Sequence, residues 1–166
     1  MKCAPEQTIT AVCYQSPVGP LVIEALPTAL TAIHWPDLKA NSAGTAEKHA
    51  VPTLLKKTLS QLDEYFAGTR KAFDLPIAPA GTGFQTQVRQ ALGDIPWGNT
   101  LSYGQVAHSI EKPKAVRAVG RAIGANPIPI IIPCHRVIGS TGALTGFAGG
   151  LERKRWLLKH EGYSII

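Results

Sequence analysis

Apolar positions along the chain fall first into short strand-like runs and then into helical stripes. Thr8 to Tyr14, Leu21 to Leu26 and Leu30 to Trp35 are β-compatible runs, separated by Ser16-Pro17-Val18-Gly19-Pro20 and by Pro27-Thr28. Turn residues at those intervals predict a three-stranded antiparallel meander. Residues 36 to 49 read as a loop. Val51, Leu55, Leu59, Leu62 and Phe66 then recur at helical spacing, with Pro52 near the start and Gly68 just past the end. That pattern predicts an amphipathic helix covering one face of the sheet.

The period changes after a stretch rich in Pro, Ala and Gly between Asp74 and Gly83, where a domain boundary is expected. It divides the chain into an N-terminal structural module over 1–79 and a mostly helical unit over 80–166. Thr82 with Gln85, and Ser102 with Gln105, have the spacing of capping boxes, in which a hydroxyl and an amide satisfy the free N–H groups of a helix start. The first opens a helix with Phe84, Val88 and Leu92 inward, ending before Pro96, and Trp97-Gly98-Asn99 makes the turn after it. The second opens a helix burying Val106, Ala107 and Ile110. Lys112-Pro113 breaks the chain. Lys114 to Gly124 is expected to be helical, with Val116, Val119 and Ile123 inside and Lys114, Arg117 and Arg121 outside. Helix, short turn and basic helix make a helix-turn-helix arrangement. A last helix is expected from Leu151 to His160, ending at Gly162, with Leu151, Lys154, Leu158 and Glu161 on one face. The fold class is α+β.

Charge sharpens this division. Residues 1–81 carry seven basic and seven acidic side chains, and residues 82–166 ten and four, so the whole net charge of +6 lies in the second half. A basic helix rich in Ala and Gly, with Glu111 the nearest acid, suits a polyanion that approaches closely. At 166 residues, 45% hydrophobic and 17% charged, the chain has the composition of a soluble globular protein. It has no apolar run of the roughly 18 residues a membrane span needs, so no membrane partner is expected. Met1 to Glu6 lacks the apolar segment of a secretory signal, which points to the cytoplasm, or to the nucleus in a nucleated cell. Cys3, Cys13 and Cys134 form no CxxC pair and leave an odd count, as in a reducing compartment. With His34 and His49 they match no structural zinc spacing, so no metal is expected.

The chemistry concentrates in Pro133-Cys134-His135-Arg136-Val137, just after the apolar run Ile128 to Ile132. Buried cysteines are usually inert, and apolar surroundings raise their pKa. The adjacent imidazole and guanidinium work the other way, toward the nucleophilic thiolate. Downstream, Phe147 lies between Gly146 and Gly149-Gly150, a segment able to wall a flat ligand with an aromatic ring and backbone amides. Glu161 is out of place at a helix C-terminus, whose partial negative charge favours cations. It is either a solvated helix-end acid or an acid with a buried partner.

Ile132-Pro133-Cys134-His135-Arg136-Val137-Ile138 resembles the active-site signature of the O6-alkylguanine-DNA alkyltransferases, the methylated-DNA-protein-cysteine methyltransferases. Ser102-Tyr103-Gly104-Gln105, Lys114 to Gly120, Ala125-Asn126-Pro127 and His160-Glu161-Gly162 resemble the family's other landmarks, in order. The similarity is dense from about Thr82 to Gly162 and weak before it. It implies an RNase H-like N-terminal sheet and direct-reversal DNA repair, in which an alkyl group passes irreversibly, once per molecule, from O6-alkylguanine, or more weakly O4-alkylthymine, to the protein's own cysteine. By resemblance Cys134 is the nucleophile and His135, acting through a water and oriented by Glu161, its base. Tyr103 rotates the nucleotide and donates to the leaving purine, and Asn126 is the hinge between DNA-binding helix and active-site turn. Lys114, Arg117, Arg121, Ser102 and Tyr103 contact DNA, with Arg117 filling the place of the extruded base, and Phe147, Ala148, Gly149, Arg136 and Val137 line the base pocket. Family members often carry Tyr where this chain has Phe147, so a hydroxyl is missing there. The lesion donates the alkyl group, so no cofactor is expected. The implied partner is double-stranded DNA carrying O6-alkylguanine, bound by a monomer that can cluster on DNA.

Two other readings use the same residues. A non-catalytic lesion binder of this fold would hold flipped bases without accepting the alkyl group, and Cys134 at the nucleophile position argues against it. A helix-turn-helix regulator with a structural cysteine would instead bind one sequence as a dimer, with spacing fixed by half-sites.

Overall fold

Turn chemistry sets the meander. The computed structural model describes residues 8–36 and 51–165; most of the expected loop over 36–49, together with Cys3 and His49, lies outside them. Strands β1 (Thr10–Ser16) and β2 (Gly19–Ala25) pair antiparallel with Ser16 opposite Gly19 and Thr10 opposite Ala25. The two-residue turn is closed by Ser16 Oγ, which donates to Gly19 O at 2.6 Å and accepts from Val18 N at 3.2 Å. Strand β3 (Leu30–His34) pairs with β2 through Ile23 and Ile33, with a bulge at Glu24/Ala25.

Helix α1 (Thr53–Phe66) buries Leu55, Thr58, Gln61, Leu62 and Tyr65. The buried stripe is therefore rotated from the expected one: Leu59 and Phe66 lie at its margin, half-buried, and Tyr65 is fully enclosed. Counting apolar letters missed this because Thr58 and Tyr65 carry the face as well as the leucines. Thr58 Oγ1 donates to Leu54 O at 2.8 Å, which makes its burial tolerable.

Both expected capping boxes are present, opening α2 (Gly83–Gly93) at Thr82 and, after the short strand β4 (Leu101–Ser102), α3 (Tyr103–Ser109) at Ser102. Helix α4 (Val116–Gly124) starts two residues later than expected, because Lys112-Pro113-Lys114 forms a turn closed by Ala115 N donating to Lys112 O at 2.9 Å. Lys114 thus precedes the helix, and Val116, in the first turn, is 38% exposed and not on the inner face. Val119, Ala122 and Ile123 supply that face.

The chain then runs through a single turn of 3-10 helix (Cys134–Arg136) into β5 (Val137–Ile138) and ends in α5 (Leu151–His160). Strand β5 pairs parallel with β4, Leu101 with Val137 and Ser102 with Ile138. Two-residue strands have no periodicity to read, so this pair was invisible in the sequence. One hydrophobic cluster spans both halves, from Leu21, Ile33 and Leu62 through Val88 and Ile123 to Cys134 and Leu157. Main-chain bonds cross as well: Ile33 N on β3 donates to Pro127 O at 2.8 Å.

Candidate active site

The sequence sets Cys134 rigidly. Asn126 closes the α4 end of the preceding loop, its Oδ1 accepting from Ile128 N at 3.1 Å and its Nδ2 donating to Ile132 O at 2.9 Å. Pro133, at φ −80° and ψ 62°, is the centre of an inverse γ-turn in which Cys134 N donates to Ile132 O at 2.8 Å. Ile130 is held at φ 75°, a conformation that strains a β-branched residue. The resulting turn leaves Cys134 5% exposed.

Burial pushes the Cys134 thiol up, the opposite of what its sequence neighbours suggest, and it is opposed by the Asn126 side-chain amide, the Lys154 charge and the backbone N–H groups of Cys134 and His135. Neither the imidazole of His135 nor the guanidinium of Arg136 supplies that help, since both turn onto Glu161. His135 Nε2 lies 2.7 Å from Glu161 Oε1, while Arg136 Nε donates to Oε2 at 2.7 Å and Nη2 to Oε1 at 3.0 Å. Arg136 Nη1 donates to Ile95 O at 2.5 Å, which leaves its guanidinium facing the protein interior.

Glu161 is 2% exposed, which excludes the solvated helix-end reading. Burial alone would raise its pKa, but the hydrogen bonds and charges of His135 and Arg136 outweigh that and bring it to about 2. An ionised carboxylate on Nε2 requires the proton to sit on that nitrogen. His135 Nδ1, buried and without a hydrogen bond to protein, therefore carries the lone pair. Burial lowers the His135 pKa and the Glu161 contact only partly restores it, so the ring is neutral and competent as a base.

In the sequence Lys154 is only a member of a helix face, yet it is fully buried. Its Nζ donates to Val137 O at 2.5 Å and Thr145 O at 2.7 Å, and burial lowers its pKa to about 8 while the Cys134 charge holds it up. A signal for it did exist: Lys154 shares its stripe with Leu158 and Glu161, so it lies on the inward side of α5. Leu151, expected on that stripe, is 44% exposed in the first turn.

The β4–β5 pair sets Tyr103, the first residue of α3, beside the turn that carries Cys134. The Tyr103 hydroxyl donates to Thr145 O at 3.1 Å and lies 3.4 Å from Gly146 O; a Cβ on Gly120 of α4 would lie 3.8 Å from the Tyr103 ring. Phe147 stands edge-on to Trp35, with centroids 5.8 Å apart. Gly149 is enclosed by both rings, and a Cβ there would come within 2.6 Å of Phe147 and 2.7 Å of Trp35. Ala148 is exposed, and Val137 is buried with its carbonyl on Lys154. Ser102 Oγ accepts from Gln105 N at 3.1 Å as the cap of α3. Lys114, Arg117 and Arg121 are exposed and line one shallow concavity with Ala115, Val116 and Ala118. No group of three or more metal-ligating side chains converges among the described residues, and no helix among them is long and apolar enough to cross a membrane.

The family models for 6-O-methylguanine DNA methyltransferase match this chain twice, the ribonuclease-like domain over residues 9–79 and the DNA-binding domain over residues 83–163. The methylated-DNA–protein-cysteine methyltransferase of Methanosarcina acetivorans is 44% identical over 149 residues, covering 90% of this chain and 96% of that protein. That of Mycobacterium leprae is 42% identical over 153 residues, covering 91% of each chain. The crystal structure of Mycobacterium tuberculosis OGT in complex with DNA superposes with a TM-score of 0.80 at 42% identity, covering 92% of both chains. A thiol, an imidazole and a carboxylate set behind a basic helix, on a scaffold shared along nearly its whole length, place the chain in the methylated-DNA–protein-cysteine methyltransferase family.

Proposed function

We propose that this protein repairs double-stranded DNA by moving the alkyl group of O6-alkylguanine, and more weakly of O4-alkylthymine, onto Cys134. The observation that carries this reading is the buried thiol beside a neutral imidazole whose other nitrogen is fixed on an ionised carboxylate. The thiol proton passes through a water to His135 Nδ1. The sulfur attacks the alkyl carbon, the carbon–sulfur bond forms as the carbon–O6 bond breaks, and the electron pair stays on the purine, which takes up a proton. Asn126 and Lys154 favour the charged sulfur and offset part of the burial that opposes it. Tyr103 donates to the purine by exchanging its carbonyl acceptor at Thr145 for the base.

A target base must leave the duplex to reach a thiol this deep. The exposed Lys114, Arg117 and Arg121 suit phosphate contacts along the minor groove, and Arg117 suits the vacated stack. Phe147, Ala148 and Gly149 form the wall for the flipped base. Arg136 and Val137 serve the pocket from behind, through Glu161 and Lys154. The proposed division near residue 80 is supported by the two family matches, which end at 79 and begin at 83.

The thioether product has no thiol-exchange route back, so one molecule repairs one lesion, as a monomer that can cluster on DNA. A reducing cytoplasm suits a protein whose chemistry needs a free thiol. Intact-protein mass after mixing with a duplex containing O6-methylguanine is expected to show one added methyl per molecule, absent in Cys134→Ser. Repeated turnover, or no mass change, would overturn the reading.

A further inference from the structure

We infer that Tyr65 of α1 is a positioning residue of the transfer reaction, its hydroxyl acting on His135 through the Glu161 carboxylate. The N-terminal module would then take part in the chemistry as well as the scaffold. Tyr65 Oη donates to Glu161 Oε1 at 2.7 Å, across 96 residues of sequence, inside the protein. That same oxygen receives His135 Nε2 at 2.7 Å and Arg136 Nη2 at 3.0 Å, while Oε2 receives Arg136 Nε. Three donors converge on Oε1, and Tyr65 is the one that belongs neither to the cysteine turn nor to a charged group.

The Tyr65 ring is itself fixed. It packs against Phe73 and Trp97 at centroid distances of 5.3 and 5.4 Å, and against His160 at 5.3 Å. His160 Nε2 lies 2.7 Å from Tyr65 O. The hydroxyl is therefore delivered to Oε1 by a packed aromatic cluster, with no rotamer freedom to lose. Burial and the Glu161 charge both push the Tyr65 pKa up, so the hydroxyl stays a donor at every working pH.

A neutral donor on a carboxylate oxygen draws negative charge away from the other bonds that oxygen makes. Tyr65 thereby limits how strongly Glu161 pulls on the His135 N–H, and so how firmly the ring holds a second proton. A base that keeps its proton too tightly is already filled at neutral pH and cannot accept one from Cys134. The charged groups acting on His135 besides Glu161 are Arg136 from the cysteine turn and Lys154 from α5, with His160 behind the Tyr65 ring. Arg136 and Lys154 disfavour the imidazolium, and Tyr65 adds to them without adding charge.

The inference rests on the proposed relay, and the experiment separates the two. Single-turnover methyl transfer from an O6-methylguanine duplex is measured against pH for the wild type, Tyr65→Phe, Tyr14→Phe and Glu161→Gln, with labelled-histidine NMR following the His135 ring. Tyr65→Phe keeps the ring and removes only the hydroxyl. Its acid limb, and the His135 titration with it, is expected to move up by about one pH unit, the size of one lost charge-assisted hydrogen bond. Tyr14→Phe is the matched control: its ring stacks on Phe66 beside Tyr65, but its hydroxyl donates to Asp63 at 2.7 Å and not to Glu161, so its profile should overlay the wild type. Placing 3-fluorotyrosine at position 65 strengthens the donor and should move the limb down, which keeps the inference testable if the Phe variant folds poorly. A Tyr65→Phe profile lowered equally at all pH values, or unmoved, would overturn the role of Tyr65. An unmoved Glu161→Gln profile would instead overturn the relay.

Discussion

The Lys154 ammonium donates to the carbonyl oxygen of Val137 at 2.5 Å, three residues past the nucleophile, from inside the protein. Its second acceptor is Thr145 O, on the loop whose Thr145 and Gly146 carbonyls also face Tyr103. One cation thus ties the cysteine turn, that loop and α5 together, and places a positive charge where the thiolate develops.

Lys154→Met should raise the Cys134 thiol pKa further and slow transfer at neutral pH by at least about tenfold, the effect of roughly one pKa unit on thiolate population. The rate of Cys134 modification by iodoacetamide against pH reads the thiol directly. The variant also takes the ammonium donor from the buried Val137 carbonyl and one of two donors from Thr145 O, so a stability loss of about 1–3 kcal/mol is expected by urea unfolding.

Glu161→Gln should slow transfer by an order of magnitude or more, near the ~10²-fold low end for a positioned general base. Raising the pH above the ordinary thiol range recovers part of the loss, because burial holds Cys134 up. The substitution also strips the Arg136 guanidinium of its anion. Breaking a buried pair in this way costs about 3–5 kcal/mol, so melting temperature has to be measured beside the rate. Binding to unmodified duplex should barely change.

Arg117→Ala should reduce repair of duplex far more than reaction with a free O6-alkylguanine base. Only the duplex needs a replacement for the extruded nucleotide. Equal losses on both substrates would remove Arg117 from the flipping step. Lys114→Ala and Arg121→Ala should each weaken duplex binding about uniformly across sequences and lower the slope of log affinity against log salt by roughly one.

Acid should destabilise the fold in two stages. His135 has a lowered pKa in the folded protein, so the unfolded chain takes up a proton first, and stability falls as pH drops below about 6.5. Glu161 is depressed to about 2, so its contribution is complete above its unfolded value of about 4.3 and is lost as pH falls from there toward 2. Urea midpoints from pH 7 to 3 should show the first decline removed in His135→Gln and the second retained.

Much of this was legible in the residues. The strands, both capping boxes and the helix-turn-helix outline follow from local signals: turn residues, hydroxyl and amide three apart, and apolar spacing. The cysteine turn was also found, but not its electrostatics. Adjacent letters put His135 and Arg136 on the thiol, and only the family resemblance pairs His135 with Glu161, whereas a single turn of 3-10 helix directs both side chains to Glu161. Tyr65 and Lys154 stayed hidden because each acts across the fold and each has a common local reading, aromatic core for one and solvated lysine for the other. Val116 was misplaced by two residues' error in where a helix begins after Pro113.

The Tyr65–Glu161 contact also bears on how fast the site can form. Its ends are 96 residues apart, and Arg153 Nε reaches Val18 O across 135. Each closure must be made against loop entropy before its reward arrives, which slows folding relative to a helical protein of local contacts. The first helices can close early, but the relay requires α1, the cysteine turn and the end of α5 together. During refolding, therefore, methyl-transfer competence should return after far-ultraviolet helical signal, and with the slowest phase of tryptophan fluorescence.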